Sequence, residues 1–268
     1  MAARRGGMID PAAVMPLAAN PFVEAIEFLI TPRESVTGGV QVGGLDEMLS
    51  LTVNHLLLSA AAIAIACVVA LPLGLWLGHI GRGEFLAISA SNVGRAVPTL
   101  ALIAFFIAFV GIGFVNVLVA LTLLAIPPLL TNTYVGVRGV DRDAVDAARG
   151  MGMSEPQIVR RVELPLSVRS VFGGLQLSAI SVVATAILGP LASVNTLGTP
   201  IVSVNVYGQP GLLGASILVA ALAILIYALL GVAQRALTPQ GLRTGRSGAP
   251  GILRRIPFLQ RQGRAQPT

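Results

Sequence analysis

The sequence predicts an all-α protein whose helices cross a membrane several times. Of its 268 residues, 54% are hydrophobic and only 11% are charged, whereas roughly 25% of the residues of an average soluble domain are charged. The mean hydropathy is +0.82. Twelve acids and eighteen bases cannot cover the surface of a soluble globule of this length. The composition therefore excludes an ordinary soluble enzyme, a nucleic-acid-binding domain and a disordered chain.

Five apolar segments are the candidate spans. The first, at about 51–77, has no charged residue between Asn54 and His79. A run of roughly 24 residues covers about 36 Å as a helix, enough for a hydrocarbon core of ~30 Å. The other four segments lie at 85–110, 114–137, 170–190 and 211–232. We therefore expect a transmembrane domain over residues 51–237.

The segments outside the spans differ in character. Residues 1–50 are mixed, and we expect an N-terminal segment that is extracytoplasmic or interfacial. Within it, Pro21–Ile30 is predicted to be a short interfacial helix, too short to span. Its apolar residues fall on one helical face: Phe22, Ile26, Leu29 and Ile30. Leu191–Pro210 is a polar loop without charge, and residues 238–268 form a basic tail that we expect to be flexible.

The second apolar segment, 85–110, contains Arg95 and Pro98. Divided into two spans, each half would have about 13 residues and a length of roughly 20 Å, too short to cross. We therefore expect one long helix kinked near Pro98, and a six-span alternative stays open because the arginine distribution fits both. Arg95 either snorkels to the interface or faces the interior of the bundle, where it could line a polar pathway between the helices. Pro98 and Asn132 are further possible residues of such a pathway, with backbone bonding as the alternative for Asn132.

The bases of the chain, all of them Arg, are concentrated on one side of the predicted membrane. One lies in the loop 79–84, six in the segment 138–169 and seven in residues 235–268. Because Arg collects in cytoplasmic loops, we expect this side, with the C-terminus, to be cytoplasmic. The net charge of +6 then reflects topology and docking rather than binding to nucleic acid.

Residues 139–167 are predicted to form a helical hairpin that projects from the membrane. Val140–Arg149 contains good helix formers with acids early in the segment, where they suit the helix dipole. Gly150 and Gly152 then break this helix. A structured projection from a helical bundle is a natural docking element for a soluble partner.

The end signals of a second helix follow in the same hairpin. Ser154 and Gln157 have the spacing of a capping box, and Pro156 lies in the first turn, where its missing N–H costs nothing. We expect Leu164-Pro165 to end this helix before the next span. The hairpin therefore has two helical arms and a glycine turn.

The spacing of residues in this hairpin resembles the cytoplasmic loop of importer permeases of the ATP-binding-cassette (ABC) class. That loop carries Glu-Ala-Ala, three residues, Gly, nine residues, Ile, one residue and Leu-Pro. The present chain keeps every spacing, with Asp for Glu and Val for Ile: Asp146, Ala147, Ala148, Gly152, Val162, Leu164 and Pro165. The resemblance implies that these residues couple the chain to a separate ATPase.

Three other stretches look like the permeases for glycine betaine, carnitine and choline: Asn54–Ser59, Val97–Leu102 and Asn132–Val140. The resemblance covers roughly Leu51–Leu230, although Leu191–Pro210 departs from the Gly-rich pattern expected there. It implies a five-span, MetI-like type I permease core that forms the pathway for a small osmoprotectant in the lipid bilayer. It also implies three partners: a second permease subunit, cytoplasmic ABC ATPase subunits and an extracytoplasmic solute-binding protein.

The resemblance implies neither catalysis nor a cofactor in this chain, which has no Walker Gly-Lys-Ser/Thr run. Three alternatives stay open. Related importers for amino acids such as methionine share the scaffold. A secondary transporter acting alone would need intramembrane acids, and the predicted spans contain no Asp or Glu. A membrane scaffold whose hairpin binds another protein is the third.

Overall fold

The computed structural model of this chain describes residues 20–85, 89 and 97–238, which are mostly helical. The helices are α1 (Pro21–Ile30), α2 (Gly44–Ile80), α3 (Thr99–Val110), α4 (Phe114–Arg138), α5 (Arg142–Gly150), α6 (Glu155–Ile158), α7 (Leu164–Thr185), α8 (Gly198–Val202) and α9 (Val204–Leu237). A π-helical turn, Val159–Glu163, joins α6 to α7, and a 3₁₀ helix, Ala186–Ala192, follows α7. Two short strands, β1 (Pro32–Glu34) and β2 (Gln41–Gly43), pair antiparallel with Arg33 opposite Val42.

Four of the described helices are long and apolar enough to cross a membrane. They are α2, α4, the continuous helical rod Glu155–Ala192, and α9. The helix α3 is also apolar but has only 12 residues, about 18 Å of length. The second half of the span predicted at 85–110 is therefore a separate short helix, α3.

The direction of α4 relative to α2 bears on the number of crossings. Gly74 of α2 lies against Thr133, and Gly78 lies against Val137 four residues further along both helices. The two helices therefore run parallel and begin at the same face of the bundle. The chain between Ile80 and Phe114 must then cross an odd number of times, which fits one crossing and not the two of the six-span alternative.

Of the remaining long helices, α7 runs antiparallel to α2 and α4, and α9 runs antiparallel to α7. Gly174 of α7 lies against Asn132 of α4, and the hydroxyl of Ser178 donates to the carbonyl oxygen of Ala125 at 2.8 Å, so α7 returns towards the start of α2. The helix α9 then runs back alongside α7, and the amides of Gln176 and Gln234 lie 3.4 Å apart. We call the end of the bundle that carries α5 and α6 the hairpin end.

Small residues allow the helices at the centre of this bundle to approach closely. One face of α2 presents a small buried residue at every fourth position: Ala62, Ala66, Ala70, Gly74 and Gly78. A Cβ atom on Gly74 would lie 2.7 Å from the Cβ of Thr133 and 3.1 Å from the carbonyl oxygen of Leu130. Such contacts are typical of membrane bundles, in which backbone proximity replaces the hydrophobic effect between helices.

The end of the bundle opposite the hairpin is covered by α1 and the strand pair. The helix α1 has the predicted bounds, but it buries Ala25 and Phe28 against α9 and leaves most of its predicted apolar face exposed. A large apolar residue facing outward is expected where the surroundings are lipid. The N–H of Val36 donates to the carbonyl oxygen of Val206 at 3.0 Å, and the hydroxyl of Tyr207 donates to Glu47 at 2.7 Å.

Two predictions about local structure are wrong. Pro98 does not kink a continuous helix: its backbone is extended (ψ 125°), and it caps the start of α3. Because Val97 and Pro98 are not helical, Pro98 does not occupy the helix interior where a proline produces a kink. The stretch Leu191–Pro210 is not an irregular loop, because α8 and the first turn of α9 lie within it. The hydroxyl of Thr196 orders this region by donating to Ala186 O at 3.0 Å.

Substitution of two adjacent glycines in α7 will test the close packing. Gly174→Ala is expected to destabilise the bundle by about 1–3 kcal/mol, because its Cβ would lie 2.7 Å from the Cβ of Asn132 and 3.0 Å from the carbonyl oxygen of Pro128. Gly173 has open space at the same atom, so Gly173→Ala is the matched control and should change stability by at most ~1 kcal/mol. Thermal unfolding in detergent measures both, and equal midpoints would contradict the packing.

Candidate functional site: the hairpin and the cavity beside Pro98

The hairpin formed by α5, α6 and the π-helical turn has an apolar core of its own. Its buried residues are Val140, Val145, Ala148 and Ile158, with Met153 and Val162 packed against them. This cluster is separate from those between the spanning helices. The hairpin is therefore a compact unit at the end of the bundle rather than a loose loop.

Backbone geometry defines the turn between the two arms. Gly152 has a φ of +80°, a conformation that glycine adopts without the strain that a Cβ would cause. Its N–H donates to the carbonyl oxygen of Arg149 at 3.0 Å, and the N–H of Met153 donates to that of Ala148 at 3.2 Å. The predicted capping box is confirmed, because the N–H of Ser154 donates to the side chain of Gln157 at 2.9 Å.

The motif residues of the first arm divide between surface and core. Asp146 and Ala147 are exposed on α5, whereas Ala148 is buried in the hairpin core. Val162 is half-buried against that core on the other arm. The spacing of the motif thus places one acid and one methyl group outward, while Ala148 and Val162 contribute to the core of the hairpin.

The base of the hairpin differs from the prediction at Leu164-Pro165. These residues do not end the second arm, because helical structure continues from Glu155 to Ala192. The π-helical turn just before them explains the continuity: the N–H of Leu164 reaches back to the carbonyl oxygen of Val159. A wider turn spares the preceding carbonyl from the proline ring, which an α-helix would not. The second arm and the fourth span are therefore one rod.

Ion pairs connect the outward acid with the second arm. Arg149 donates to both carboxylate oxygens of Glu155, at 3.0 and 3.1 Å, and to Asp146 at 2.9 Å. These hydrogen bonds from Arg149 hold the pKa of the Glu155 carboxyl below its ordinary value, and Glu155 in turn raises the pKa of the guanidinium. Asp146 is thereby fixed relative to both arms.

A histidine on the first spanning helix contacts the same hairpin. The Nε2 atom of His79 lies 3.1 Å from Glu155, and its Nδ1 atom lies 2.8 Å from Glu163. His79 is 7% exposed and Glu163 is fully buried. The sequence pattern marks His79 only as a boundary of the first span, and a pairing between residues 84 positions apart has no local signal.

Of the possible pathway residues that the structure describes, Pro98 lines a cavity and Asn132 does not line it. The cavity has a volume of about 340 Å³ and lies between the start of α3, the middle of α4 and the second half of α7. The residues around it are Val97, Pro98, Thr99, Leu124, Pro127, Pro128, Leu177 and Ser181. Asn132 instead lies where α4 contacts α7. Its side-chain amide donates to the backbone carbonyl oxygen of Pro128 at 2.8 Å. The backbone carbonyl oxygen of Asn132 accepts from the hydroxyl of Ser170 at 2.7 Å. Arg95 lies outside the described residues.

Comparison with known proteins agrees with this architecture. Residues 70–241 match the family described as binding-protein-dependent transport system inner membrane component. The chain is 36% identical to the carnitine transport permease protein OpuCB of Listeria monocytogenes over 75% of its own length and 93% of that protein. It is also 36% identical to the choline transport system permease protein OpuBB of Bacillus subtilis, over 74% and 91% of the two chains.

A solved structure supports the fold. An inward-facing structure of the MetNI methionine ABC transporter superposes with a TM-score of 0.64 at 22% identity, covering 73% of this chain and 98% of the other. The MetI-like permease fold expected from the motif is thus confirmed. Given the match over most of its spanning region and the identity to two curated permeases, the chain belongs to the family of binding-protein-dependent transport system inner membrane components.

Proposed function

We propose that this chain is the membrane-spanning permease subunit of an ATP-driven importer for a small osmoprotectant such as glycine betaine, choline or carnitine. The observation that carries the proposal is the hairpin, whose spaced motif folds into a compact projection with Asp146 on its surface. The curated relatives named above are permeases for carnitine and choline. These names favour an osmoprotectant over the methionine-like solute of the alternative, since the likeness to the methionine transporter supports the fold alone.

In this proposal the hairpin transmits motion from a separate ATPase to the bundle. Asp146 and Ala147 face outward to contact the ATPase, and Ala148, Gly152 and Val162 keep the hairpin rigid. Because the second arm continues into α7 through Leu164 and Pro165, a displacement of the hairpin would displace a spanning helix directly. The chain itself hydrolyses nothing and uses no cofactor.

The orientation of the chain follows from its charges. Arg138, Arg142 and Arg149 lie at or in the hairpin, and arginines are rare at the opposite end of the described residues, where Arg33 is found. The hairpin end is therefore proposed to be cytoplasmic, with the ATPase subunits there. A solute-binding protein would dock at the opposite end, and a second permease subunit would complete the pathway.

The cavity beside Pro98 is proposed to be part of that pathway. It lies beside Val97 and Pro98, which are not helical, and irregular backbone within a membrane protein commonly lines transport sites. Among the described residues that line it, none is aromatic or charged, so these residues supply no aromatic cage for a quaternary ammonium. In this proposal tight recognition belongs to the binding protein.

Transport assays will test the solute. Proteoliposomes containing the chain with its ATPase and binding-protein partners should take up labelled glycine betaine, choline or carnitine when ATP is present on the hairpin side. Labelled methionine should not accumulate above the ATP-free control. Uptake of methionine in preference to all three quaternary amines would contradict the osmoprotectant proposal while leaving an ABC importer in place.

Charge reversal at Asp146 will test the coupling role. Asp146→Arg is expected to lower ATP-driven uptake at least about tenfold, a loss equivalent to ~1.4 kcal/mol of transition-state stabilisation, because an outward acid becomes a base and its pairing with Arg149 becomes a repulsion. Glu84→Arg reverses an exposed acid at the same end but outside the hairpin, so it is the matched control and should retain uptake. If both variants transport equally, Asp146 does not couple the chain to the ATPase.

The glycine turn offers a third test. Gly152→Ala should strain the turn by about 1–2 kcal/mol, because its φ of +80° is left-handed, and amide hydrogen exchange in the hairpin should become roughly 5–30 times faster. Gly150→Ala is the control, since Gly150 has helical geometry and open space at its Cβ position. Unchanged exchange in Gly152→Ala would show that the turn is not a constraint.

A further inference from the structure

His79 connects two parts of the chain that are distant in sequence. It lies in the last turn of α2, and each of its ring nitrogens faces a carboxylate of the hairpin. Nδ1 is 2.8 Å from Oε2 of Glu163, which belongs to the π-helical turn, and Nε2 is 3.1 Å from Oε2 of Glu155, which begins α6. One ring therefore contacts both the base and the start of the second arm.

The stereochemistry of this contact favours a ring that carries both protons. A carboxylate can only accept, and a neutral imidazole has one donor nitrogen and one acceptor nitrogen. With both carboxylates ionised, a neutral ring would place its lone pair against one of them. The imidazolium donates to both, and its charge also compensates the fully buried Glu163, which would be costly to leave without a cation.

The other charges near this contact do not replace His79. Arg142 Nη1 is 3.9 Å from Oε1 of Glu163, and that oxygen has no hydrogen-bond partner among the described residues. Arg149 is engaged with Glu155 and Asp146. The guanidinium of Arg138, at the end of α4, lies beside Gly81. Trp76, whose ring is 6.2 Å from that of His79, offers no charge, and Arg82 and Glu84 in the following loop are exposed.

We propose that His79 is a positioning residue which, as the imidazolium, fastens the hairpin to the first spanning helix, so that hairpin movement is passed to α2 as well as to α7. The inference rests on the proposed coupling function and deepens it. Without these two contacts the fastening to α2 is lost while the covalent continuity with α7 remains. The ratio of solute imported to ATP hydrolysed therefore falls when the side chain at position 79 cannot donate to both carboxylates.

The test uses the assembled transporter in proteoliposomes, with ATP at the hairpin side and glycine betaine, choline and carnitine as the solutes. The ratio of solute imported to ATP hydrolysed is measured for every variant at one fixed pH. Arg82→Gln removes an exposed charge three residues from His79 and is the matched control. Each ratio is compared with that of Arg82→Gln under the same conditions.

Two substitutions at one position give opposite expectations. His79→Gln supplies no charge and a single donor nitrogen, so its ratio should be about threefold or more below that of Arg82→Gln. His79→Lys supplies a permanent ammonium with three donors, so its ratio should stay within about twofold of that control. Hydrogen exchange of residues 139–163 in the same complex should be faster in His79→Gln than in His79→Lys.

The outcomes separate the two proposals. If the wild type imports solute with ATP and His79→Gln keeps the wild-type ratio, the role of His79 is refuted while the permease function stands. If His79→Gln does not assemble, His79→Lys decides alone: a ratio and a hydrogen exchange of residues 139–163 like those of Arg82→Gln support the fastening, and a lower ratio with faster exchange overturns it. If no form of the transporter shows ATP-dependent uptake of any of the three solutes, the permease function fails and the inference fails with it.

Discussion

The close approach of α2, α4 and α7 through small residues is the constraint on which the rest of this structure depends. Lipid gives no hydrophobic driving force between helices, so backbones must come near enough for dispersion and polar contacts to hold them. Gly74 and Gly78 meet α4 in this way, and Gly174 meets it from the other side. These contacts fix the position of α2 along α4. They therefore also fix where His79, in the last turn of α2, meets the hairpin.

From that register the hairpin acquires two attachments of different kinds. One is covalent, because α6, the π-helical turn and α7 form a single rod. The other is electrostatic, through the contacts of His79 with Glu155 and Glu163. A rigid arm that is attached to two packed helices can move both, whereas a flexible loop would absorb the displacement. The small apolar core of the hairpin supplies the stiffness.

Patterns that act over a few residues were predictable from the sequence, and contacts between distant segments were not. The capping box at Ser154 and the bounds of α1 follow from local chemistry, and the parallel course of α2 and α4 agrees with the five-span expectation. The predictions at two prolines were wrong, because the effect of a proline on a helix depends on the backbone conformation around it. At Pro98 an extended residue starts a helix, and at Pro165 a π-helical turn lets a helix continue. The partners of His79 depend on tertiary register, which no local pattern encodes.

The distribution of acids bears on how such a bundle could be driven. Many ion-coupled transporters hold their coupling ion on carboxylates inside the membrane, and the five predicted spans contain none. An acid there would also hold a cationic solute such as choline and slow its release, whereas the cavity beside Pro98 is lined by apolar groups and hydroxyls among the described residues. The predicted spans therefore offer no carboxylate for ion coupling, which agrees with the proposal that a partner at the hairpin drives the conformational change.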